Sequence, residues 1–158
     1  SDTRTHENDT SGQALVDRLG AAGHVLAGRA LVIDDVAAIQ AQIKSWIVDP
    51  AVDIILTTGG TGFTARDSTP EAVKPLLDKE MDGFSVVFHQ KSMASVGVAT
   101  MQSRAFAGQA GDSFIFCIPG STGACKDAWD GLLELEFDSR HRPCSIAGAL
   151  PRLREMAA

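Results

Sequence analysis

Glycines and hydroxyl side chains are concentrated at residues 57–62, where the sequence reads Thr-Thr-Gly-Gly-Thr-Gly. This stretch directly follows an apolar run, 52–56, that has the length of a buried strand. Glycines leave backbone N–H groups open to an anion, and threonine hydroxyls add further donors. The pattern predicts a binding loop for a phosphorylated small molecule, with a purely structural turn as the alternative. The candidate ligand-binding residues of this loop are Thr57, Thr58, Gly59, Gly60, Thr61 and Gly62.

Two common kinds of phosphate loop do not match this stretch. No lysine follows the glycines, so the loop is not the P-loop of ATPases. The dinucleotide-binding pattern G-x-G-x-x-G is also unmet, and the loop comes late in the chain. A different mode of phosphate binding is therefore expected.

Two aspartates follow predicted strands at positions where a ligand would sit. Asp34 comes after an apolar run, and Asp67 comes shortly after the glycine loop. Ligands of open α/β sheets bind beyond the carboxyl ends of the strands, so we expect these side chains to meet. A single aspartate is more often a helix cap or a solvated acid, but two beside a glycine loop favour a functional role. Asp35, next to Asp34, would point in a different direction along a strand.

A second group of candidates lies at 103–104 and 119–121. Arg104, near the start of a predicted strand, could pair with a phosphate or form an ordinary salt bridge. Ser121 precedes a predicted helix and could cap that helix or hold a ligand oxygen. Both interpretations stay open for each residue. The candidates of this group are Ser103, Arg104, Pro119, Gly120 and Ser121.

The elements that would position these residues follow from hydrophobic periodicity. Apolar residues at helical spacing predict helices over 11–22, 35–48, 83–93 and 95–101. Another helix is predicted to begin at a hydroxyl cap, Thr69, and a further one is predicted from Ser121 through Phe137. Strands are predicted over 24–33, 52–56, 105–109 and 113–118, the last two joined by a hairpin turn at 110–112. Strands that alternate with helices predict an α/β fold, with a mostly parallel sheet covered on both faces.

Length and composition restrict the class of protein. The 158 residues fit a single domain, 1–158, and the 44% hydrophobic content suits a globular fold. A formal net charge of −6 argues against a nucleic-acid partner, and no apolar stretch is long enough to span a membrane. The first residues are polar and acidic, unlike a secretory signal. Cys117, Cys125 and Cys144 have no metal-ligand spacing, so reduced thiols in the cytoplasm are expected.

Several motifs together resemble one family. The segment 56–72 reads L-T-T-G-G-T-G-F-T-A-R-D-S-T-P-E-A, which is similar to the signature of the MoaB/Mog proteins of molybdenum cofactor biosynthesis. The segments S-D-T-R-T-H-E-N-D-T-S-G (1–12), M-Q-S-R-A-F-A-G (101–108) and F-C-I-P-G-S-T-G-A-C-K-D-A-W (116–129) also resemble this family, as do D-K-E-M-D-G-F (78–84) and R-H-R-P-C (140–144). The resemblance implies a three-layer α/β/α molybdopterin-binding fold. Family members have a strand before the first of these motifs, so the sheet is expected to lack one strand.

The resemblance also implies a reaction, the adenylylation of molybdopterin with Mg-ATP and release of pyrophosphate. Asp34 and Asp67 match the family's catalytic acids and become candidate Mg²⁺ ligands, and Asp2 is a candidate lining residue. A binding protein without turnover is one alternative, and a CinA-type nucleotide hydrolase is another. The CinA-type loop tends to read G-G-L-G-P-T with two acids following, whereas a single acid follows here.

The resemblance further implies a trimer or a hexamer. The apolar residues of 84–101 exceed the needs of one small core, which agrees with that expectation. Molybdopterin and ATP are the expected small-molecule partners, and other molybdenum cofactor biosynthesis proteins are expected protein partners.

Overall fold

Four strands form one mixed sheet in the computed structural model, which describes residues 4–156. The strands are β1 (Ile54–Thr58), β2 (Lys79–Glu80), β3 (Phe106–Ala110) and β4 (Ser113–Ile118). Their spatial order is β1-β4-β3-β2. β1 and β4 run parallel, whereas the hairpin β3–β4 and the pair β2–β3 are antiparallel. The described sheet is therefore mixed where a mostly parallel sheet was predicted, because a hairpin pairs its two strands antiparallel. The predicted hairpin is confirmed, with Gly111 of its turn at φ 56°.

Strand β4 shows why the sheet must be covered on both sides. All six of its residues are buried, and successive side chains point to opposite faces. Phe114, Phe116 and Ile118 pack into one hydrophobic cluster, whereas Ile115 and Cys117 pack into another. A strand this apolar is stable only between two layers of helices.

The helices supply those two layers. Helices α1 (Thr10–Ala21), α4 (Asp82–Val96) and α5 (Thr122–Ala128) contribute to the first cluster, and α7 (Ile146–Met156) packs against it. Helices α2 (Val36–Ile47) and α3 (Thr69–Val73) contribute to the second. The predicted three-layer α/β/α architecture is therefore confirmed. No helix within residues 4–156 combines the length and the apolar character that a membrane span requires.

Two of the predicted helices begin at aspartate caps. The Asp9 carboxylate accepts a hydrogen bond from the Gly12 N–H at 3.0 Å and starts α1. The Asp35 carboxylate accepts one from the Ala38 N–H at 2.8 Å and starts α2. A carboxylate at this position satisfies an N–H that has no partner within the helix. The helices predicted over 11–22 and 35–48 are confirmed.

The helix predicted from Ser121 through Phe137 is interrupted. Helix α5 ends at Ala128, and the backbone leaves helical geometry at Asp130 (ψ 108°) and Gly131 (φ 74°). A short helix α6 (Glu134–Glu136) follows. Asp130 is held at this break by a salt bridge from Arg18 at 2.8 Å. The helix predicted over 83–93 continues to Val96, and 95–101 is mainly a 3₁₀ segment, Gly97–Gln102.

The strand predicted over residues 24–33 is wrong for this structure, because the segment forms no strand. A strand needs a neighbour with which to exchange backbone hydrogen bonds. Among residues 4–156, strand β1 stands at the edge of the sheet and pairs with β4 alone. Residues of the segment and of β1 instead line a common cavity of about 1140 Å³. The apolar content of 24–33 was the misleading signal, since Val25 and Ile33 are largely exposed.

Candidate functional site

The glycine loop follows β1 and continues the pairing of β1 with β4. The Gly59 N–H donates to the Ile118 carbonyl at 2.9 Å. Gly59 and Gly60 then adopt positive φ angles of 105° and 66°. A side chain at Gly60 would place its Cβ 2.3 Å from Thr69 Oγ1. Both the backbone angles and the close approach therefore require glycine at this turn.

Thr69, the first residue of α3, closes the other side of the loop. Its hydroxyl donates to the Gly59 carbonyl at 2.9 Å, and its N–H donates to the Gly60 carbonyl at 3.0 Å. The predicted capping role of Thr69 is wrong, because Ser68 occupies the cap position and makes no side-chain cap bond. Helix α3 has only five residues, so it offers few aligned peptide dipoles. Thr69 acts here as a loop brace.

Backbone N–H groups are the donors that the loop leaves open. Within residues 4–156, the N–H groups of Gly60 and Thr61 have no hydrogen-bond acceptor. The threonine hydroxyls are mostly engaged internally. Thr58 Oγ1 donates to the Pro119 carbonyl at 3.1 Å, and Thr61 Oγ1 lies 3.2 Å from Ser103 Oγ. An anion at this loop would therefore meet neutral backbone donors before hydroxyl groups.

Asp67 is held on the far side of the loop by Thr64. Its carboxylate accepts hydrogen bonds from the Thr64 hydroxyl at 2.6 Å and from the Thr64 N–H at 2.9 Å. The Thr64 hydroxyl lowers the pKa of Asp67 most, with burial opposing the change and the N–H groups of Thr64 and Gly62 adding to it. Asp67 is therefore a fixed, ionised carboxylate at neutral pH.

Asp34 is the second acid of the site. Its side chain is 24% exposed, and its carboxylate lies 4.0 Å from the guanidinium of the largely exposed Arg66. Asp35 caps α2, so its side chain is occupied there. The cavity of about 1140 Å³ brings most of the predicted site together. It is lined by Asp34, Thr57, Thr58, Gly59, Gly60, Thr61, Gly62, Asp67, Ser103, Pro119 and Gly120.

The side chains of Arg104 and Ser121 make hydrogen bonds within the protein. The Arg104 Nε donates to the Gly62 carbonyl at 2.9 Å, Nη2 donates to the Asp67 carbonyl at 2.8 Å, and Nη1 pairs with Glu71. The salt-bridge interpretation is confirmed, and Arg104 braces the outer part of the loop. The Ser121 hydroxyl accepts from the Ala124 N–H at 3.1 Å and caps α5. Neither side chain lines the cavity. Asp2 lies outside the described residues.

The structure contains a buried carboxylate between two arginines that the sequence did not predict. Asp9 is 5% exposed and lies 3.2 Å from Arg4 Nη1 and 2.9 Å from Arg29 Nη2. Arg4 Nη2 donates to the Gly120 carbonyl at 2.7 Å. The Gly120 Cα lies against Gly59, since a Cβ on Gly120 would come within 3.1 Å of the Gly59 Cα. Asp9 and Arg4 therefore hold the two glycine turns together. The only signal in the sequence was that both residues fall within the motif at 1–12.

Comparisons with known proteins identify the family of this chain. The family model described as a probable molybdopterin binding domain matches residues 1–138. Molybdenum cofactor biosynthesis protein B of Escherichia coli strain K12 is 45% identical over 146 residues, which are 92% of this chain and 86% of that protein. This chain belongs to the MoaB/Mog family. The protein of the same name from Staphylococcus aureus strain MRSA252 is 44% identical over 141 residues, which are 87% of this chain and 83% of that protein.

Solved structures of MoaB and Mog proteins share the fold. A crystal structure of molybdenum cofactor biosynthesis protein B, 39% identical, superposes with a TM-score of 0.87 and covers 98% of this chain and 91% of its own. The Mog protein from Mycobacterium ulcerans, 27% identical, gives a TM-score of 0.78 and covers 97% of this chain and 92% of its own. The predicted MoaB/Mog fold is confirmed.

Proposed function

We propose that this MoaB/Mog protein acts in molybdenum cofactor biosynthesis, where it binds molybdopterin and adenylylates it with Mg-ATP. The matching family is described as a probable molybdopterin binding domain, and the relatives carry the name molybdenum cofactor biosynthesis protein B. The observation that carries the proposal is the glycine turn at Gly59 and Gly60 with the Asp67 carboxylate lying against Gly62, beside a cavity that Asp34 also lines. An anion-binding loop beside two carboxylates suits phosphate transfer between two phosphorylated substrates.

The proposed step exchanges one phosphate bond for another. An oxygen of the terminal phosphate of molybdopterin attacks the α-phosphorus of ATP and forms a new P–O bond. The bond between the α-phosphorus and its bridging oxygen breaks, and pyrophosphate leaves with the electron pair. Catalysis of such a transfer consists mainly of positioning the phosphates and offsetting their charge. The open N–H groups of Gly60 and Thr61 supply fixed donors for this purpose.

The two acids are candidate ligands for a magnesium ion. Mg²⁺ is usually held by one or two carboxylates together with substrate phosphates and water. Asp34 and Asp67 provide two carboxylates, and the described residues contain no group of three or more ligands that would form an all-protein cage. The lowered pKa of Asp67 keeps its oxygens anionic. Bound Mg²⁺ would supply charge neutralisation on the ATP phosphates.

The proposed setting of this reaction is the cytoplasm. Cys117, Cys125 and Cys144 are free thiols, which suits a reducing compartment. Burial raises the pKa of the Cys117 thiol to about 12, so this group stays protonated and takes no part in the chemistry.

A product assay tests the proposal. The protein is incubated with molybdopterin, ATP and Mg²⁺, and both adenylylated molybdopterin and pyrophosphate are measured. We expect the two products in equal amounts and no release of AMP from ADP-ribose. A protein that binds molybdopterin but forms neither product would instead be a binding protein, and cleavage of ADP-ribose would indicate a nucleotide hydrolase.

A further inference from the structure

Phe63 is exceptional among the phenylalanines of this chain. Of the seven in the sequence, six are buried in the core, whereas the Phe63 side chain is 73% exposed. It directly follows Gly62 at the outer end of the glycine loop. Isolated exposed apolar residues are ordinary on protein surfaces, so exposure by itself assigns no role. The surroundings of the ring carry the argument.

The ring is held by a guanidinium that is itself fixed. The Arg104 Cζ lies 5.5 Å from the centre of the Phe63 ring, which is within the range of a cation–π contact. Hydrogen bonds to the carbonyls of Gly62 and Asp67 and the ion pair with Glu71 hold the guanidinium in place. The ring is therefore oriented before any ligand arrives, with most of its surface facing solvent. Such preorganisation reduces the entropy lost on binding.

We propose that Phe63 is a stacking platform for the flat nitrogen heterocycle of a substrate. The inference rests on the proposed function, in which both substrates carry such a ring, adenine in ATP and the pterin in molybdopterin. Gly60 and Thr61 line the cavity and Phe63 does not. The phosphates would therefore bind at the Gly60 and Thr61 N–H groups, and the heterocycle would extend outward along the loop onto the Phe63 ring. Stacking of a heterocycle on an aromatic side chain adds affinity without reading individual hydrogen-bond donors and acceptors.

Pairs of ligands with and without a heterocycle test the platform. ATP is compared with inorganic tripolyphosphate, and neopterin monophosphate with inorganic phosphate, by calorimetric titration of the wild type, Phe63→Leu and Phe63→Trp. Leucine keeps an apolar side chain and removes the aromatic ring, so it should weaken at least one heterocyclic ligand by about 10-fold or more. Tripolyphosphate and phosphate affinities should stay within about twofold, because backbone groups bind them. Tryptophan should retain heterocycle affinity, with its fluorescence quenched on binding.

The ligand pairs show which heterocycle stacks on Phe63. They also distinguish a failure of the stacking proposal from a failure of the proposed function. A loss confined to ATP assigns the platform to adenine, and a loss confined to neopterin monophosphate assigns it to the pterin. Equal affinities of wild type and Phe63→Leu for both heterocyclic ligands would overturn the platform, even if tripolyphosphate binding showed that the loop holds phosphates. A wild type that binds none of the four ligands would overturn the proposed function as well.

Discussion

The two acids of the cavity have different neighbours but the same proposed role, so we expect the same behaviour on mutation. The Asp67 carboxylate accepts a hydrogen bond from the Thr64 hydroxyl, and the Asp34 carboxylate forms an ion pair with Arg66. Asp35, the neighbour of Asp34, is occupied as the cap of α2. Replacement of aspartate by asparagine keeps the size of the side chain and removes its charge. The three positions therefore form a test with its own control.

We expect Asp67→Asn and Asp34→Asn each to lower the rate of adenylylation by about 100-fold or more, because each removes a charge that would help hold Mg²⁺ and orient the phosphates. Asp35→Asn should stay close to wild type, since asparagine caps a helix as well as aspartate does. The measurement is single-turnover conversion of ATP and molybdopterin at saturating Mg²⁺. Molybdopterin affinity should change little in all three variants.

The double variant adds a check on the mechanism. If Asp34 and Asp67 act on one metal ion, their combined loss should be smaller than the product of the single losses. Wild-type rates for both single variants would contradict the proposed role of the acids.

Asp9 is the second residue whose charge can be tested, through stability. Burial opposes its ionisation, but the Gly12 N–H, Arg29 and Ser11 together lower the pKa of its carboxyl. A carboxyl with a lowered folded-state pKa stabilises the fold above its unfolded pKa, and this stability is lost as the pH falls through the folded pKa. We expect urea unfolding of the wild type to show a loss of stability below about pH 4.

Asp9→Asn should remove part of that acid dependence. It leaves Arg4 and Arg29 without their shared carboxylate, so the free energy of unfolding at pH 7 should fall by about 3 kcal/mol. The difference between wild type and variant should shrink from pH 7 to pH 3. A difference that is the same at both pH values would show that the charge of Asp9 does not contribute.

At the scale of elements, the segment 24–33 is where local pattern and observed structure diverge most. Its sequence, H-V-L-A-G-R-A-L-V-I, has the composition of a buried strand. The segment instead lines the cavity beside β1, which is an edge strand within the part of the chain that the structure describes. Backbone pairing depends on a neighbour at the right distance, which residue types within the segment do not specify.

Hydrogen exchange should distinguish the two elements. Amides of residues 25–31 form no strand pairing, so they should exchange through local openings of low free energy. Amides of β4 lie at the centre of the sheet between β1 and β3, so they should exchange only on global unfolding. The measurement is exchange at the level of single residues by nuclear magnetic resonance. Protection of 25–31 equal to that of β4 would show that the segment pairs as a strand.

At the scale of the whole molecule, exposed apolar side chains are unevenly distributed. The described residues include thirteen large hydrophobic side chains that are exposed. Six of them fall within residues 86–101, on α4 and the 3₁₀ segment after it. They are Val86, Val87, Met93, Val96, Val98 and Met101. The core aromatics of the same helix, Phe84 and Phe88, are buried, so α4 is apolar on more than one side. Such a surface is typical of an interface between copies of a protein.

We expect a trimer or a hexamer in solution, and Val98→Glu should shift it toward the monomer, because a charge on this surface would be desolvated on association. Val48→Glu is the matched control, since Val48 on the opposite layer is 78% exposed and Val98 is 75% exposed. Sedimentation velocity at micromolar concentration gives the result. A wild-type monomer, or equal effects of the two substitutions, would contradict an interface at residues 86–101.

The sequence by itself determined the elements whose signals are local. Helices α1 and α2, the hairpin β3–β4 and the glycine turn each depend on neighbours a few residues apart, through caps, periodicity and positive φ angles. The resemblance of ordered motifs was then enough to predict the family, the fold and the two acids. The strand-end rule located the glycine loop, which directly follows β1. It does not explain the position of Asp34, because the segment before Asp34 forms no strand and only the tertiary structure places this residue on the cavity.

Only the tertiary structure decided which polar groups were already engaged. Arg104, Ser121 and Thr69 are residue types that could hold a phosphate, yet their hydrogen bonds go to Glu71, the N-terminus of α5 and the loop carbonyls. Asp9 links Arg4 to Arg29 only in the folded chain. There the Asp9 carboxylate lies 2.9 Å from the guanidinium of Arg29, which is 20 residues away in the sequence. A residue's type specifies which hydrogen bonds it can make, but it does not specify the partner. The partner is decided only when the two atoms meet in the folded chain.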